Sequence, residues 1–282
     1  MKYPIQKLKK FRFLRRSSPR SPRRPIPRIV VPSFFTLMNL FCGFVSLILV
    51  AEGNLILGAW LIALAGLFDA LDGVMARLAN ATSEFGIELD SICDVVSFGV
   101  APGFLIYHYG LNELALFGII LSTLPPLCGA VRLARFNVDT KYGGFEDFRG
   151  LPIPVQAIML AAFVLTFISS PELFEDMQFG VATVLIPIVI LLSFLMVSTI
   201  PFDKLPRFDR QSFKNKKGKF VQFLIYLGLI IIFQEYGLMF VFSVYILKGL
   251  LMGGWYLWNN GVPDDDLSYK RNVEGNEPRE EL

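Results

Sequence analysis

Apolar runs of about twenty residues recur along this chain with only short polar breaks between them. A run of that length crosses ~30 Å of hydrocarbon as a helix, because a helix rises ~1.5 Å per residue. Hydrophobic residues make up 54% of the sequence, which is too many for the core of a water-soluble domain to hide when they come in such runs. Eight spans are expected, near 30–52, 55–79, 85–108, 113–135, 152–170, 179–200, 219–234 and 238–258. The expected fold is an all-α integral membrane protein of about eight transmembrane helices.

Charge sets the orientation. The first 28 residues hold eleven Lys/Arg and no Asp/Glu, and residues 201–219 add seven more. The segment 136–151 carries Lys141 and Arg149, whereas the breaks at 52–54, 109–112, 171–178 and 235–237 carry none. This alternation places both termini in the cytoplasm, in agreement with an even number of spans. A plasma-membrane location is expected.

The basic N-terminal segment has few aromatics on which bases could stack, so it is read as a topology signal that touches anionic lipid. Nucleic acid is not an expected partner. No small-residue cleavage site follows the first apolar run, so this segment is not read as a signal peptide. The stretch after Pro263 is polar and rich in acidic residues, and is read as disordered. Cys42, Cys93 and Cys128 lack metal-ligand spacing, and His108 falls at the outer end of the third span.

Four carboxylates interrupt this apolar pattern: Asp69, Asp72, Asp90 and Asp94. Charge at membrane depth is costly and points to function. The members of each pair lie three or four residues apart and so share a helix face. A helical hairpin through Asn80–Ser83 would bring the two pairs onto facing surfaces. Carboxylates this close stay ionised only beside positive charge. An all-oxygen donor set favours Mg²⁺ or Mn²⁺ over zinc, as one ion or a pair. Such a site suits a diphosphate. Gly73 and Ala76 leave the helix surface bare for a flat group, Arg77 suits phosphate oxygens, and Thr82 or Ser83 offers a hydroxyl at the cytoplasmic rim. Gly86 suits close helix approach, and Gly43 a contact between subunits.

The string Asp69-x2-Asp72-Gly73-x2-Ala76-Arg77-x8-Gly86-x3-Asp90-x3-Asp94 resembles the signature of the CDP-alcohol phosphatidyltransferases. The resemblance covers roughly residues 30–200, which it implies form a six-helix core followed by two further helices. It implies that Asp69, Asp72 and Asp90 ligate metal, and that Asp94 is the general base with a share in the metal. It further implies that Gly73 and Ala76 lie against cytidine, and that Arg77 and Ser83 meet the nucleotide phosphates. Thr36 and Asn39 resemble additional nucleotide contacts. A homodimer is implied as well. The expected organisation is a basic segment 1–29, a catalytic core 30–200, a basic loop with two more helices 201–258, and a polar tail 259–282.

Three further strings resemble the phosphatidylserine synthase branch: Ser97-Phe-Gly-Val-Ala-Pro102, Arg132-Leu-Ala-Arg135-Phe-Asn137 and Gly150-Leu-Pro-Ile-Pro154. The implied reaction transfers a phosphatidyl group from CDP-diacylglycerol to L-serine and releases CMP. Serine needs a cation for its carboxylate, and Arg132, Arg135 and Arg149 are the candidates on the cytoplasmic side. Rival readings are the same chemistry with glycerol 3-phosphate or an inositol phosphate, a cation transporter using the carboxylates as an ion path, and a purely structural membrane anchor.

Overall fold

The hairpin that opens the bundle is written into its turn residues. In the computed structural model α1 (Val30–Ala51) stops at Gly53, whose φ of 85° is cheap only for glycine. Asn54 N donates to Leu49 O at 2.8 Å and Gly53 N to Val50 O at 3.0 Å, which satisfy two of the last carbonyls of α1. Asn54 then caps the next helix, its Oδ1 accepting from Leu57 N at 3.2 Å. α2 (Leu55–Ala79) returns tightly against α1. A Cβ on Gly58 would lie 2.5 Å from Val50 Cγ2, and Ser46 Oγ donates to Gly58 O at 2.8 Å.

The structure describes residues 30–79, 83–141, 150–200, 202 and 217–260. The basic N-terminal segment, the basic loop at 203–216, the polar tail beyond 260, Thr82 and Arg149 lie outside the described residues, as does the side chain of Arg77.

Ser83 starts the next helical stretch. Its backbone is extended and its Oγ accepts from Gly86 N at 3.0 Å, capping α3 (Glu84–Asp94). Directly after Asp94 the helix widens into a π turn over Val95–Val100 before α4 (Ala101–Ile106) resumes. Pro102 accounts for the widening. It has no N–H to offer and its ring crowds the carbonyl four residues back. Ala101 N accordingly donates five residues back, to Val96 O. A second π turn, Tyr107–Leu111, and a 3₁₀ turn, Asn112–Leu114, carry the chain to Ala115.

At Ala115 (φ 51°) the helix breaks and the chain doubles back as α5 (Ala115–Ser122) and α6 (Leu124–Lys141). Glycines make the return close. A Cβ on Gly118 would lie 1.8 Å from Leu111 O, one on Gly103 2.4 Å from Ser122 O, and one on Gly99 2.9 Å from Pro126 Cα.

α7 (Ile153–Phe167) is apolar all round and buried from Val155 to Thr166 except at Ile158, which is only partly covered, so it forms the axis of the bundle. Its entry is stitched to α8 (Ala182–Val197): Leu151 N donates to Leu195 O and Gly150 N to Ile200 O, both at 2.9 Å. Gly150 has φ 78°, and a Cβ there would lie 2.4 Å from Met196 O.

α9 (Lys217–Asn260) is a hairpin in its own right, because Gln234 (φ 46°) reverses it and Gly237 folds back onto Leu229 O. Its second arm carries Gly249 and Gly253, whose bare surfaces receive Phe202 and Ile200.

Every element among the described residues is helical. Four segments are long and apolar enough to cross a membrane: Ser33–Ala51, Leu55–Ala76, Glu84–Val138 and Gly228–Trp255. α7 and α8 are apolar but shorter. Phe41, Phe44, Phe194 and Trp255 are among many large apolar side chains that face outward, as in a lipid-facing surface.

Candidate active site

The sequence places the two carboxylate pairs on α2 and α3, and the structure turns the two helices toward each other. One carboxylate oxygen from each of Asp69, Asp90 and Asp94 lies within 4.8 Å of the other two. Asp94 is buried and the other two are partly covered. Asp72, also buried, lies outside this converging triad but close enough to repel both Asp69 and Asp90.

α1 holds two of the carboxylates from behind. Thr36 Oγ1 donates to Asp72 Oδ2, and Asn39 Nδ2 donates to Asp94 Oδ1 at 3.0 Å. Thr36 and Asn39 are three apart on one buried face of α1, so a single helix surface orients a carboxylate from each pair. Ser97 locks that surface in place, its Oγ donating to Asn39 O at 3.0 Å. The π turn after Asp94 carries Ser97, and Gly43 gives it room: a Cβ at Gly43 would lie 2.4 Å from Ser97 Oγ. Gly43 therefore serves a contact inside the chain.

On the opposite side α6 brings Arg132, a buried guanidinium that is attracted to Asp94 and also interacts with Tyr245 of α9. Arg135 goes elsewhere. It is exposed and donates from Nη1 to Val197 O at 3.1 Å, tying α6 to the end of α8. Ser91 and Asn137 join α3 to α6 nearby, at 3.1 Å.

Gly73 and Ala76 lie on α2, partly covered, one and four residues beyond Asp72. Arg77 follows on the same helix. Ser83 is engaged as the cap of α3, where its oxygen accepts and its hydroxyl hydrogen remains available to another acceptor. Gly86 fits that cap: Ser83 Oγ is the only atom recorded within 4 Å of where its Cβ would be, so the expected helix approach is absent there among the described residues. His108 lies away from the triad, its Nδ1 3.1 Å from Phe104 O.

The donor set fits a hard divalent cation. Three carboxylates converge without a lysine or histidine among them, and Asn39 Oδ1 is buried beside Asp94 with no hydrogen-bond partner. Hard oxygen donors aimed at one point from two rigid helices are the arrangement such an ion needs.

The pairing of Asn39 with Asp94 and the role of Ser97 escape sequence reasoning. Asn39 is recognisable as a polar residue in an apolar run, but its partner is 55 positions away. The π turn has one legible signal, Pro102.

A family model described as CDP-alcohol phosphatidyltransferase matches residues 29–197. A CDP-diacylglycerol–serine O-phosphatidyltransferase of Helicobacter pylori is 32% identical over 225 residues, which cover 80% of this chain and 91% of the relative. A protein of the same description from Bacillus subtilis is 35% identical over 186 residues, 66% of this chain and 94% of its own. An archaetidylserine synthase of Methanothermobacter thermautotrophicus is 38% identical over 183 residues, 64% of this chain and 71% of its own.

Proposed function

This chain belongs to the CDP-alcohol phosphatidyltransferase family, and from that premise we propose that it is a phosphatidylserine synthase, transferring the phosphatidyl group of CDP-diacylglycerol to L-serine with release of CMP. The observation that carries the reading is the convergence of Asp69, Asp90 and Asp94 within 4.8 Å in a membrane bundle. The relatives' names add the acceptor. They differ in the lipid but share serine.

Asp69, Asp90 and Asp94 would hold Mg²⁺ or Mn²⁺, with Asp72 adjoining as a ligand if a second ion binds. The metal's contribution is to neutralise diphosphate oxygens and stabilise the departing CMP. Asp94 takes the proton from the serine hydroxyl. The serine oxygen then bonds to the lipid-proximal phosphorus as the bond from that phosphorus to the CMP oxygen breaks, and CMP leaves with the bonding electrons. Asn39 fixes the carboxylate of Asp94 for that task, and Thr36 fixes Asp72. Their resemblance to nucleotide contacts would then be met through the carboxylates they orient. Gly73 and Ala76 form the bare surface for cytidine, and Arg77 and Ser83 meet the phosphates. Of the acceptor cations, Arg132 is favoured by its burial beside Asp94. Arg135 is occupied with Val197 O. Arg149 remains a candidate by sequence.

The reversals at Ala115 and Gln234 support eight crossings, six in the core and two in the C-terminal hairpin, with both termini and the site on the cytoplasmic side of the plasma membrane. A homodimer is part of this reading. Purified protein should release CMP from CDP-diacylglycerol with L-serine and Mg²⁺ or Mn²⁺, and not with glycerol 3-phosphate or inositol phosphate. CMP release with one of those acceptors instead would keep the chemistry and overturn the acceptor. Ion flux without CMP release would overturn the enzyme reading.

A further inference from the structure

The string Arg132-Leu-Ala-Arg135-Phe-Asn137 leaves its last residue without a role. Asn137 lies one turn before the end of α6, partly covered, and reaches across to α3. Its Nδ2 donates to Ser91 Oγ at 3.1 Å and to Glu88 Oε2 at 3.4 Å. A carboxamide nitrogen carries two hydrogens, so both bonds can be made at once. Ser91 meanwhile donates its own hydrogen to Ile87 O, one turn back, at 3.0 Å. Glu88 and Ser91 are three apart and share a side of α3. Asn137 thus grips α3 at two points.

The position of this grip gives it a consequence. α3 and the π turn run antiparallel to α6 and are tied to it at two levels. One tie is a close approach of backbones, where a Cβ on Gly99 would lie 2.9 Å from Pro126 Cα. The other is the polar bridge from Asn137 to Ser91 and Glu88. Asp94 falls between the two ties on one side of the seam, and Arg132 falls between them on the other. The backbone tie has no slack, so the polar one sets how far the seam opens at the level of these two side chains. α3 is also held by α1 through Asn39 and Asp94, whereas α6 is held to the end of α8 by Arg135. Loss of the bridge would therefore leave the carboxylates with α1 and let Arg132 follow α8. We propose that Asn137 is a positioning residue: by bridging α6 to Ser91 and Glu88 it fixes Arg132 relative to Asp94, and with it the binding of the amino-acid acceptor. This inference rests on the serine reading above.

The test uses the full-length protein in nanodiscs. KM for L-serine, the Mg²⁺ concentration for half-activity and the melting temperature are measured for wild type, Asn137→Leu and the double variant Asn137→Asp/Glu88→Gln. Asn137→Leu removes the bridge without adding charge. The double variant keeps the wild-type net charge and exchanges donor for acceptor across the seam. Asn137→Leu should raise the serine KM about fivefold or more, because Arg132 is misplaced. Its Mg²⁺ requirement should stay within about twofold, since Asn39 still holds Asp94. The double variant should return the serine KM to within about twofold of wild type. A folded Asn137→Leu with a lower melting temperature and an unchanged serine KM shows a merely structural bond and overturns the proposal. A serine KM raised equally in both variants overturns it as well. Should Asn137→Leu fail to fold, Asn137→Asp alone sets two carboxylates against each other, and an unchanged serine KM there is equally fatal. A wild type that releases CMP only with another acceptor overturns the serine reading, and the same comparison on that acceptor's KM then decides this inference. A wild type that uses serine, with variants that bind it normally, overturns this inference alone.

Discussion

Asn39 donates to Asp94 at 3.0 Å from the neighbouring helix α1, and Ser97, three residues after Asp94, takes hold of the Asn39 backbone carbonyl. One buried asparagine is thereby fixed through both side chain and backbone, by the proposed base and by the turn that follows it. Removing a partner that orients a metal-binding carboxylate typically costs ~10–100-fold in metal affinity or activity. Asn39→Ala should lower kcat by that factor and raise the Mg²⁺ or Mn²⁺ concentration needed for half-activity. A metal titration of CMP release measures both. An unchanged titration would assign Asn39 to the nucleotide alone.

Gly43 has no room for a side chain, since a Cβ would sit 2.4 Å from Ser97 Oγ and 2.7 Å from Ser97 Cα. Gly43→Val should destabilise the protein by about 1–3 kcal/mol through overpacking. The melting temperature in detergent reports it. The backbone atom stands in the way as well, so Ser97→Gly added to Gly43→Val should restore only part of the loss. A fall in dimer content at unchanged melting temperature would restore the subunit-contact reading of Gly43.

Three carboxylates within 4.8 Å repel one another unless a cation joins them. Chelation should abolish CMP release and lower the melting temperature, by mass action on the folded state. Asp90→Asn should raise the melting temperature of the metal-free protein while removing activity, because it relieves repulsion at the cost of a ligand. Loss of folding in that variant, with or without metal, would favour a structural role for the carboxylates.

Arg132 and Arg135 separate by burial and partner. Arg132→Gln removes a buried cation beside Asp94 and should raise the serine KM by at least about tenfold. Arg135→Gln removes one exposed hydrogen bond to Val197 O and should cost about 1 kcal/mol of stability with little change in that KM. The opposite pattern would exchange their roles.

The extents of α1 and α2 are legible because apolar length and the Gly53-Asn54 turn coincide, and sequence places both helices within a residue of where they lie. The carboxylates are legible for a similar reason, since helical spacing fixes which of them share a face. The third expected span reads as one plain helix, yet it contains one π turn and runs into a second at its end. Hydropathy does not distinguish a five-residue return from a four-residue one when both are apolar. Which arginine turns inward depends on packing between α6, α8 and α9, and the positive-inside pattern is the same for all of them.

The π turn after Asp94 also makes the chain there a counting device. Each helical residue advances the chain by about a hundred degrees, so the extra residue between Asp94 and Pro102 sets the direction in which everything beyond faces. Substitutions at outward positions such as Val100 leave that count intact. Deleting any one residue of Val95–Phe98 would swing Gly99 and Gly103 away from Pro126 and Ser122, and with them the return of α6 that brings Arg132 home. At its outward positions this stretch should accept changes of residue far more readily than changes of length.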